Sequence, residues 1–510
     1  MNRRFFYSVL TGILISLSFP PFKLGFLAYI ALIPFFLLLR DASMKEAARW
    51  GYLTGLFVNV GTLYWINWVT IPGAVAAILV LPFYFMLYAI FHVFLRTRFN
   101  EKYVYIMIPF LWTGVEYVRS LGVLGFPWTS LAFSQSYYLS LIQYISFTSI
   151  FGVTFWIVVI NVVIMMILLD YKNTRKLLIL IVILLVLFSL PWLYGKWVIP
   201  DENGVNEKVR IAVIQGNIDP FLKSEEEYWD ENFEIYSSLS RQAAERSIQL
   251  LIWPETAMPC YLRYTPQYQQ KLREFVAELD LPLITGAHEV DFIKKGHYRT
   301  YNAAFCLIPH RLSMQSYSKL HLVPFGERVP FTEIIPQFKT FLEWFEFGEG
   351  NFSPGDEIST FRIPIKQSEQ NLRSKYIKAP VIICFESLFP DLVRKFVMHD
   401  HAQMLIIITN DGWFKRSSAP YHHAQAAVFR AIENRIPIAR AANTGISMFI
   451  DAYGRTISNT PIFEQKFLVA DLALNSERPF FARHGNIFSV TISVMNLIPL
   501  IWGLFRKERM

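Results

Sequence analysis

Three side chains of this sequence, a carboxylate, an ammonium and a thiol, each stand at or near the end of an apolar run, and together they could carry out nucleophilic acyl transfer. Cys384 closes the run Val381-Ile382-Ile383, Glu386 follows two residues later, and Pro390 opens a predicted helix. The pattern reads as a buried strand presenting a thiol near a helix N-terminus, where the thiolate is favoured. Taken alone it also fits a small buried hydrophobe, since free cysteines are often buried. Glu255 comes directly after Leu250-Leu251-Ile252-Trp253-Pro254. Desolvation there raises a carboxylate toward the range of a general base, although a helix cap or a surface residue has the same pattern. Lys319 precedes a rigid Pro324-Phe325-Gly326 turn and then Glu327. A fixed ammonium stabilises an oxyanion, and Glu327 can keep it charged and oriented; a solvated strand end is the competing reading. The turns Asn410-Asp411-Gly412 and Asn443-Thr444-Gly445 either shape the same pocket or lie on the surface. Base, cation and thiol within one domain are the set that acyl transfer through a covalent intermediate requires.

The elements that must position them divide in two. Of 510 residues, 53% are hydrophobic and 17% charged, below the share usual in soluble domains. Residues 1–200 hold 14 Lys+Arg against 5 Asp+Glu, and residues 201–510 hold 34 against 35. The first part is therefore a membrane region and the second is largely water-soluble. The basic excess lies in membrane loops, and no basic, aromatic-interleaved patch supports nucleic-acid binding. The three cysteines, Cys260, Cys306 and Cys384, leave at least one free thiol unless chains pair. His422-His423 is adjacent rather than at i, i+4 spacing, a weak ligand signal that favours a helix or loop surface.

Eight spans are expected, at roughly 5–20, 24–39, 50–68, 73–95, 103–119, 144–169, 177–195 and 486–505. The first resembles a signal peptide, but no small-residue cleavage site follows it, so it reads as a retained helix. Arg3 and Arg4, then Arg40, Lys45 and Arg49, then Arg96, Arg98 and Lys102, then Lys172, Arg175 and Lys176, and finally Arg506, Lys507 and Arg509 mark one side; the alternate loops are nearly uncharged. The positive-inside rule then puts both termini in the cytoplasm and the stretch 196–485 on the other side. Glu116 and Arg119, three apart at the end of span five, are either an ion pair near the interface or a polar contact for a lipid headgroup or the soluble domain.

Within 205–475, strands are expected at Val209–Gln215, Leu250–Trp253, Leu283–Gly286, Ala303–Ile308, Val381–Ile383 and Met404–Thr409. Helices are expected at Glu225–Ser247 and Ala424–Asn434. The alternation implies an α/β sheet with its chemistry at strand ends.

The order Glu255, Lys319, Cys384, in the contexts Trp253-Pro254-Glu255, His321-Leu322-Val323-Pro324-Phe325-Gly326-Glu327 and Cys384-Phe385-Glu386-Ser387, resembles the nitrilase superfamily. With Asn410 to Phe414, Ala442 to Ser447 and the eight-span layout, the resemblance narrows to the apolipoprotein N-acyltransferase family and covers nearly the whole chain. It implies an αββα sandwich (196–485) on a membrane bundle (1–195 and 486–510) in a bacterial inner membrane, with the sandwich periplasmic or otherwise extracytoplasmic. It implies that Cys384 is the nucleophile and acyl carrier, Glu255 the base and Lys319 the oxyanion stabiliser, with Glu327, Glu386 and Asn302 in support. Phe385 stands where a tyrosine is often found. Trp229 lies further from Gln215-Gly216-Asn217-Ile218 than the family's substrate-contacting tryptophan. The implied reaction takes an acyl chain from a phospholipid onto Cys384, then passes it to the α-amine of a diacylglyceryl-cysteine on an apolipoprotein, with no metal or diffusible cofactor.

Aromatic residues including Phe338, Trp344 and Phe345 crowd Gln337 to Phe352 among three glutamates, which suggests an amphipathic arm dipping into the interface; a buried loop is the alternative. Two competing functions are a membrane-anchored hydrolase with the same triad and water as acceptor, and a transporter or receptor. The latter needs polar residues paired along several spans, and these spans are nearly uncharged.

Overall fold

The computed structural model describes residues 3–201, 207–294, 297–329, 352–365 and 375–507. They form two compact units, one of Met1–Asn67, Ile71–Pro200 and His484–Met510, the other of Trp68–Thr70 and Asp201–Arg483. Trp344 and Phe345 lie outside the described residues; Phe352, at the end of that aromatic segment, is buried.

The first unit is helical. Four of its helices are long and apolar enough to cross a bilayer: Ile71–Arg98, Ile150–Asp170, Thr174–Val198 and Ile487–Leu504. Arg3–Ser18 is shorter, the segment Gly25–Leu39 is broken between two short helices, and Met44–Leu63 and Glu101–Arg119 carry charged residues at their ends. Ser43 and Glu46 form a capping box that starts Met44–Leu63, satisfying two of its orphan backbone donors. Glu116 is not one half of a simple ion pair. Its carboxylate accepts from Trp112 Nε1 (3.1 Å), Ser130 Oγ (2.7 Å), Thr154 Oγ1 (2.8 Å) and the Leu131 N–H (3.1 Å), so it ties the helix end to the following loop and to Ile150–Asp170.

The second unit contains two sheets. The strands are β1 Lys208–Gln215, β2 Leu250–Ile252, β3 Met258–Tyr261, β4 Leu283–Lys294, β5 His297–Leu307, β6 Gln315–Ser318, β7 Thr360–Ile365, β8 Lys375–Ile383, β9 Leu405–Thr409, β10 Ile438–Ala442, β11 Met448–Ile450, β12 Thr456–Asn459 and β13 Lys466–Ala473. One sheet runs β13-β1-β2-β4-β5-β6, with β3 also on β4; the other runs β12-β11-β10-β9-β8-β7. The centres, β1-β2-β4 and β8-β9-β10, are parallel. Parallel strands are covered on both faces, which is why β2 and β9 are buried at every residue and apolar at all but the closing Thr409. β1 lies against β10 across the two sheets. Helices cover the outer faces. Pro266–Leu279 buries Tyr268, Leu272, Phe275 and Val276, a stripe at helical spacing, and Pro at its first position together with left-handed Asp280 after its end fixes its length. Ala419–Asn434 is buried on nearly every side.

Candidate active site

Glu255 follows β2, Lys319 follows β6 and Cys384 follows β8, so the sheet ends bring together residues far apart in sequence. Gly286 in β4 permits the approach: a Cβ there would overlap the backbone of Glu255 and Thr256. Both oxygens of Glu255 are held. Oε1 accepts from Asn302 Nδ2 at 2.8 Å and lies 3.5 Å from Lys319 Nζ; Oε2 accepts the Asn410 N–H at 2.7 Å. Asn302 Nδ2 also donates to Glu327 Oε1 at 2.9 Å. Lys319 Nζ donates to that same Glu327 oxygen at 2.8 Å, and Glu327 Oε2 accepts the Val323 N–H at 2.8 Å. Lys319 is 1% exposed. Burial opposes its charge, but Glu327, then Glu255 and Cys384, outweigh burial and hold the ammonium above its usual range.

Cys384 sits at φ 52°, a left-handed conformation that a non-glycine residue adopts at a cost of about 1–3 kcal/mol when the surroundings enforce it. Here Glu386 enforces it. Its Oε2 accepts the Ile383 N–H at 2.8 Å, and its Oε1 accepts from Tyr317 Oη at 2.6 Å and from the Leu320 and His321 N–H groups at 2.8 and 3.1 Å. Burial pushes the Glu386 carboxyl up, and these donors pull it back in part. The residue Cys384 keeps some exposure, yet burial is the largest influence on its sulfur. Burial and then Glu255 raise the thiol well above its usual range, with Lys319 opposing them. The resting group is thus a protonated thiol beside a base. The helix-end argument, which favours the thiolate, is outweighed by desolvation and a neighbouring carboxylate.

Of the two readings left open for the turns, the pocket-shaping one holds: Asn410, Asp411, Asn443 and Thr444 are buried, not on surface turns. Asn443 Nδ2 donates to Asn410 Oδ1 at 3.1 Å, and Asn443 also binds both backbone groups of Ile218, so these turns support Glu255 through the Asn410 N–H. His422 and His423 are buried in Ala419–Asn434 rather than on a helix surface. His423 reaches the Cys384 carbonyl at 3.0 Å. The available signal was the alanine-rich apolar run behind the pair, Ala424 to Ile432, which marks a helix buried all round. Lys223, 1% exposed, donates to the Glu255 carbonyl at 2.8 Å and was not singled out from sequence. Trp229 begins the helix Trp229–Ala244 and packs edge-on against Tyr268 at 5.6 Å. Phe385 is buried against Phe389 and His321, with ring centroids at 5.1 and 5.8 Å. Cys260 and Cys306 are both free and buried, not bridged to each other.

A family model described as Carbon-nitrogen hydrolase matches residues 210–480, which assigns the two-sheet unit to that class of enzyme domain. A second, described as Apolipoprotein N-acyltransferase N-terminal domain, matches residues 11–163. Apolipoprotein N-acyltransferase of Geobacter metallireducens is 36% identical across 96% of this chain and 93% of its own length. That of Chlorobaculum tepidum is 29% identical across 99% and 98%. The chain belongs to the apolipoprotein N-acyltransferase family: it is an acyltransferase, a membrane enzyme with a nitrilase-like domain. Among solved structures, an amidase from Nesterenkonia sp. covers 56% of this chain and 96% of its own at 18% identity, with a TM-score of 0.37.

Proposed function

We propose that the chain transfers an acyl group from a phospholipid to the α-amine of an N-terminal diacylglyceryl-cysteine, through a thioester on Cys384. One observation carries this reading: a single buried cluster in which Lys319 touches Glu255 and Glu327 and the Cys384 thiol is coupled to both Glu255 and Lys319. Glu255 takes the thiol proton as sulfur attacks the ester carbonyl, Lys319 donates to the developing oxyanion, and collapse releases lysophospholipid, which leaves with the proton from Glu255. The acceptor amine then attacks the thioester. Glu255 takes the amine's proton and returns it to sulfur as the amide forms. Glu327 and Asn302 hold the base and ammonium in register, and Glu386 holds the nucleophile's turn. Phe385 forms part of the acyl-chain wall, with Trp229, Trp344 and Phe345 as further substrate contacts.

In this reading the chain crosses a bacterial inner membrane eight times. Arg3–Ser18, Gly25–Leu39, Met44–Leu63 and Glu101–Arg119 span along with the four long apolar helices. The segments 1–195 and 486–510 form the membrane part. Both termini are cytoplasmic and 196–485 is extracytoplasmic, a topology supported by the clustering of Lys and Arg in alternate loops. A lipid-facing site would also limit hydrolysis of the thioester.

Intact mass spectrometry after incubation with phospholipid tests the reading. Wild type should gain one acyl-sized mass that hydroxylamine removes, and Cys384→Ala should gain none. Release of free fatty acid with no transfer to a diacylated peptide would instead favour a hydrolase.

A further inference from the structure

The helical unit holds a crevice that the reaction above does not use. It measures about 650 Å³, within the size range of ligand-binding cavities. Two of its walls are the helices Glu101–Arg119 and Ile150–Asp170, and the start of Thr174–Val198 and Arg40, just after Ile33–Leu39, complete its rim. The two wall helices meet edge-on at Phe110 and Phe155, with ring centroids 5.0 Å apart, and again where Thr154 donates to Glu116. On the other side of that contact the space between them stays open. Protein interiors are close-packed and voids of this size are few.

Polarity is sorted along the crevice. Phe110, Phe155, Val159, Val163 and Met166 line the stretch between the helices, while Arg40, Glu101, Lys102, Asp170 and Lys176 stand at the helix ends. From Glu101 to Phe110 a helix rises about 14 Å at about 1.5 Å per residue, close to half of a hydrocarbon core about 30 Å thick. The crevice is therefore one leaflet deep, apolar where acyl chains lie and charged where headgroups lie. Two of its three cations have carboxylate partners: Arg40 Nη2 lies 3.3 Å from Glu101 Oε1, and Lys176 reaches Asp170. Lys102 has no carboxylate partner among the described residues; its ammonium lies 4.8 Å from the centre of the Tyr103 ring. The mouth thus carries one positive charge in excess. Arg40 and Lys176, steadied by their partners, keep further N–H donors to offer.

We propose that this crevice binds an anionic phospholipid of the cytoplasmic leaflet, with its phosphate on Lys102, Arg40 and Lys176 and an acyl chain laid between Glu101–Arg119 and Ile150–Asp170. Arg40, Lys102 and Lys176 belong to the basic groups that mark the cytoplasmic side in the topology proposed above, and basic pockets between spanning helices on that side suit anionic headgroups. The choice of leaflet rests on that topology; the site does not depend on a thioester at Cys384. No thiol lines it, so the lipid there is bound and not consumed. It is a second lipid site, separate in chemistry from the one that takes the acyl donor.

The test is native mass spectrometry of the full chain in detergent, titrated with phosphatidylglycerol or with phosphatidylcholine of the same acyl chains. Wild type should hold one phosphatidylglycerol under activation that strips phosphatidylcholine. Lys102→Glu, at an exposed residue, reverses the unpaired charge and should weaken phosphatidylglycerol binding by about tenfold. Lys45→Glu makes the same charge change on the same side, at an exposed residue that does not line the crevice, and should leave binding unchanged. Val159→Trp fills the apolar stretch and should abolish binding. Equal retention of the two lipids by wild type overturns the proposal, because lipid would then merely solvate the helices. Equal weakening by Lys102→Glu and Lys45→Glu overturns it too, because the attraction would belong to the whole face. So does undiminished binding to a folded Val159→Trp; should that variant not fold, the two surface variants decide. Neither surface residue touches the Cys384 cluster, so both variants should form the thioester as wild type does. A missing thioester in wild type sinks the proposed function and leaves the lipid titration standing, whereas an unselective titration with the thioester intact sinks only this site.

Discussion

Glu386 Oε1 accepts the backbone N–H of Leu320 at 2.8 Å while its other oxygen accepts that of Ile383 at 2.8 Å. One carboxylate thus bolts the residue before the nucleophile to the residue after Lys319. The distance between sulfur and ammonium is set by this bracket rather than by either strand alone. Glu386→Gln keeps the volume but turns an amide toward at least one N–H donor. A displacement near 1 Å in a reacting geometry costs about a hundredfold in rate. We expect thioester formation from phospholipid to fall by about that factor, with melting of the full chain in detergent changed far less. Equal rates in variant and wild type would show that the bracket does not set the geometry.

The parts of this fold that could be read from sequence are those where burial is written as an apolar run. β2, β9 and the last three residues of β8, Val381 to Ile383, are such runs, and the residues that follow them are Glu255, the Asn410 turn and Cys384. β6 (Gln315–Ser318) and β7, with Pro364 on a sheet edge, carry polar or irregular patterns because edges face water on one side. The sequence marks an apolar strand beside the Asn443-Thr444-Gly445 turn but not its bounds, because Arg440 interrupts β10; the buried Asp411 and the Ile446 carbonyl account for an arginine there. The amphipathic helix Pro266–Leu279 was passed over because its outer face is strongly polar. Asn410 and Asn443 left two readings open, and His423 misled, for a common reason. Residues that make turns in water also make hydrogen bonds inside a protein, and their type does not reveal which.

Acid should weaken the catalytic unit before its carboxylates titrate. Burial, then repulsion from Lys223, lowers His288 to about 4; burial, then repulsion from Lys319, lowers His321 to about 4, with Glu327 partly offsetting both. Unfolded histidine binds its proton near pH 6.5. Between about 6.5 and about 4 the unfolded chain holds more protons than the folded one, so stability falls as pH falls through that window and is flat above it. At pH 5.5 the loss is at most about 1.4 kcal/mol per histidine. Replacing both by phenylalanine keeps ring packing, against Phe352 for His288 and against Phe385 and Phe389 for His321. Melting curves at pH 7.5, 6.5 and 5.5 should show a drop in wild type and a nearly level response in His288→Phe/His321→Phe. Parallel responses would refute the assignment.

The charges beneath Cys384 should stabilise as a set and destabilise singly. Asp411 is the anion that meets the Arg440 guanidinium and the His423 ring, all without solvent exposure. Removing it alone leaves buried positive charge uncompensated, a situation that costs about 3–5 kcal/mol. Asp411→Ala should therefore lower the denaturation midpoint of the full chain markedly. Asp411→Leu/Arg440→Leu removes anion and guanidinium together and fills the space with apolar volume. Replacing a buried pair by packed hydrophobic side chains is often close to neutral, so the double variant should be the more stable of the two, while still forming the thioester more slowly than wild type because His423, which reaches the Cys384 carbonyl, has lost its Asp411 partner. If the double variant proves as unstable as Asp411→Ala, the pair contributes through shape and hydrogen bonding rather than through charge balance.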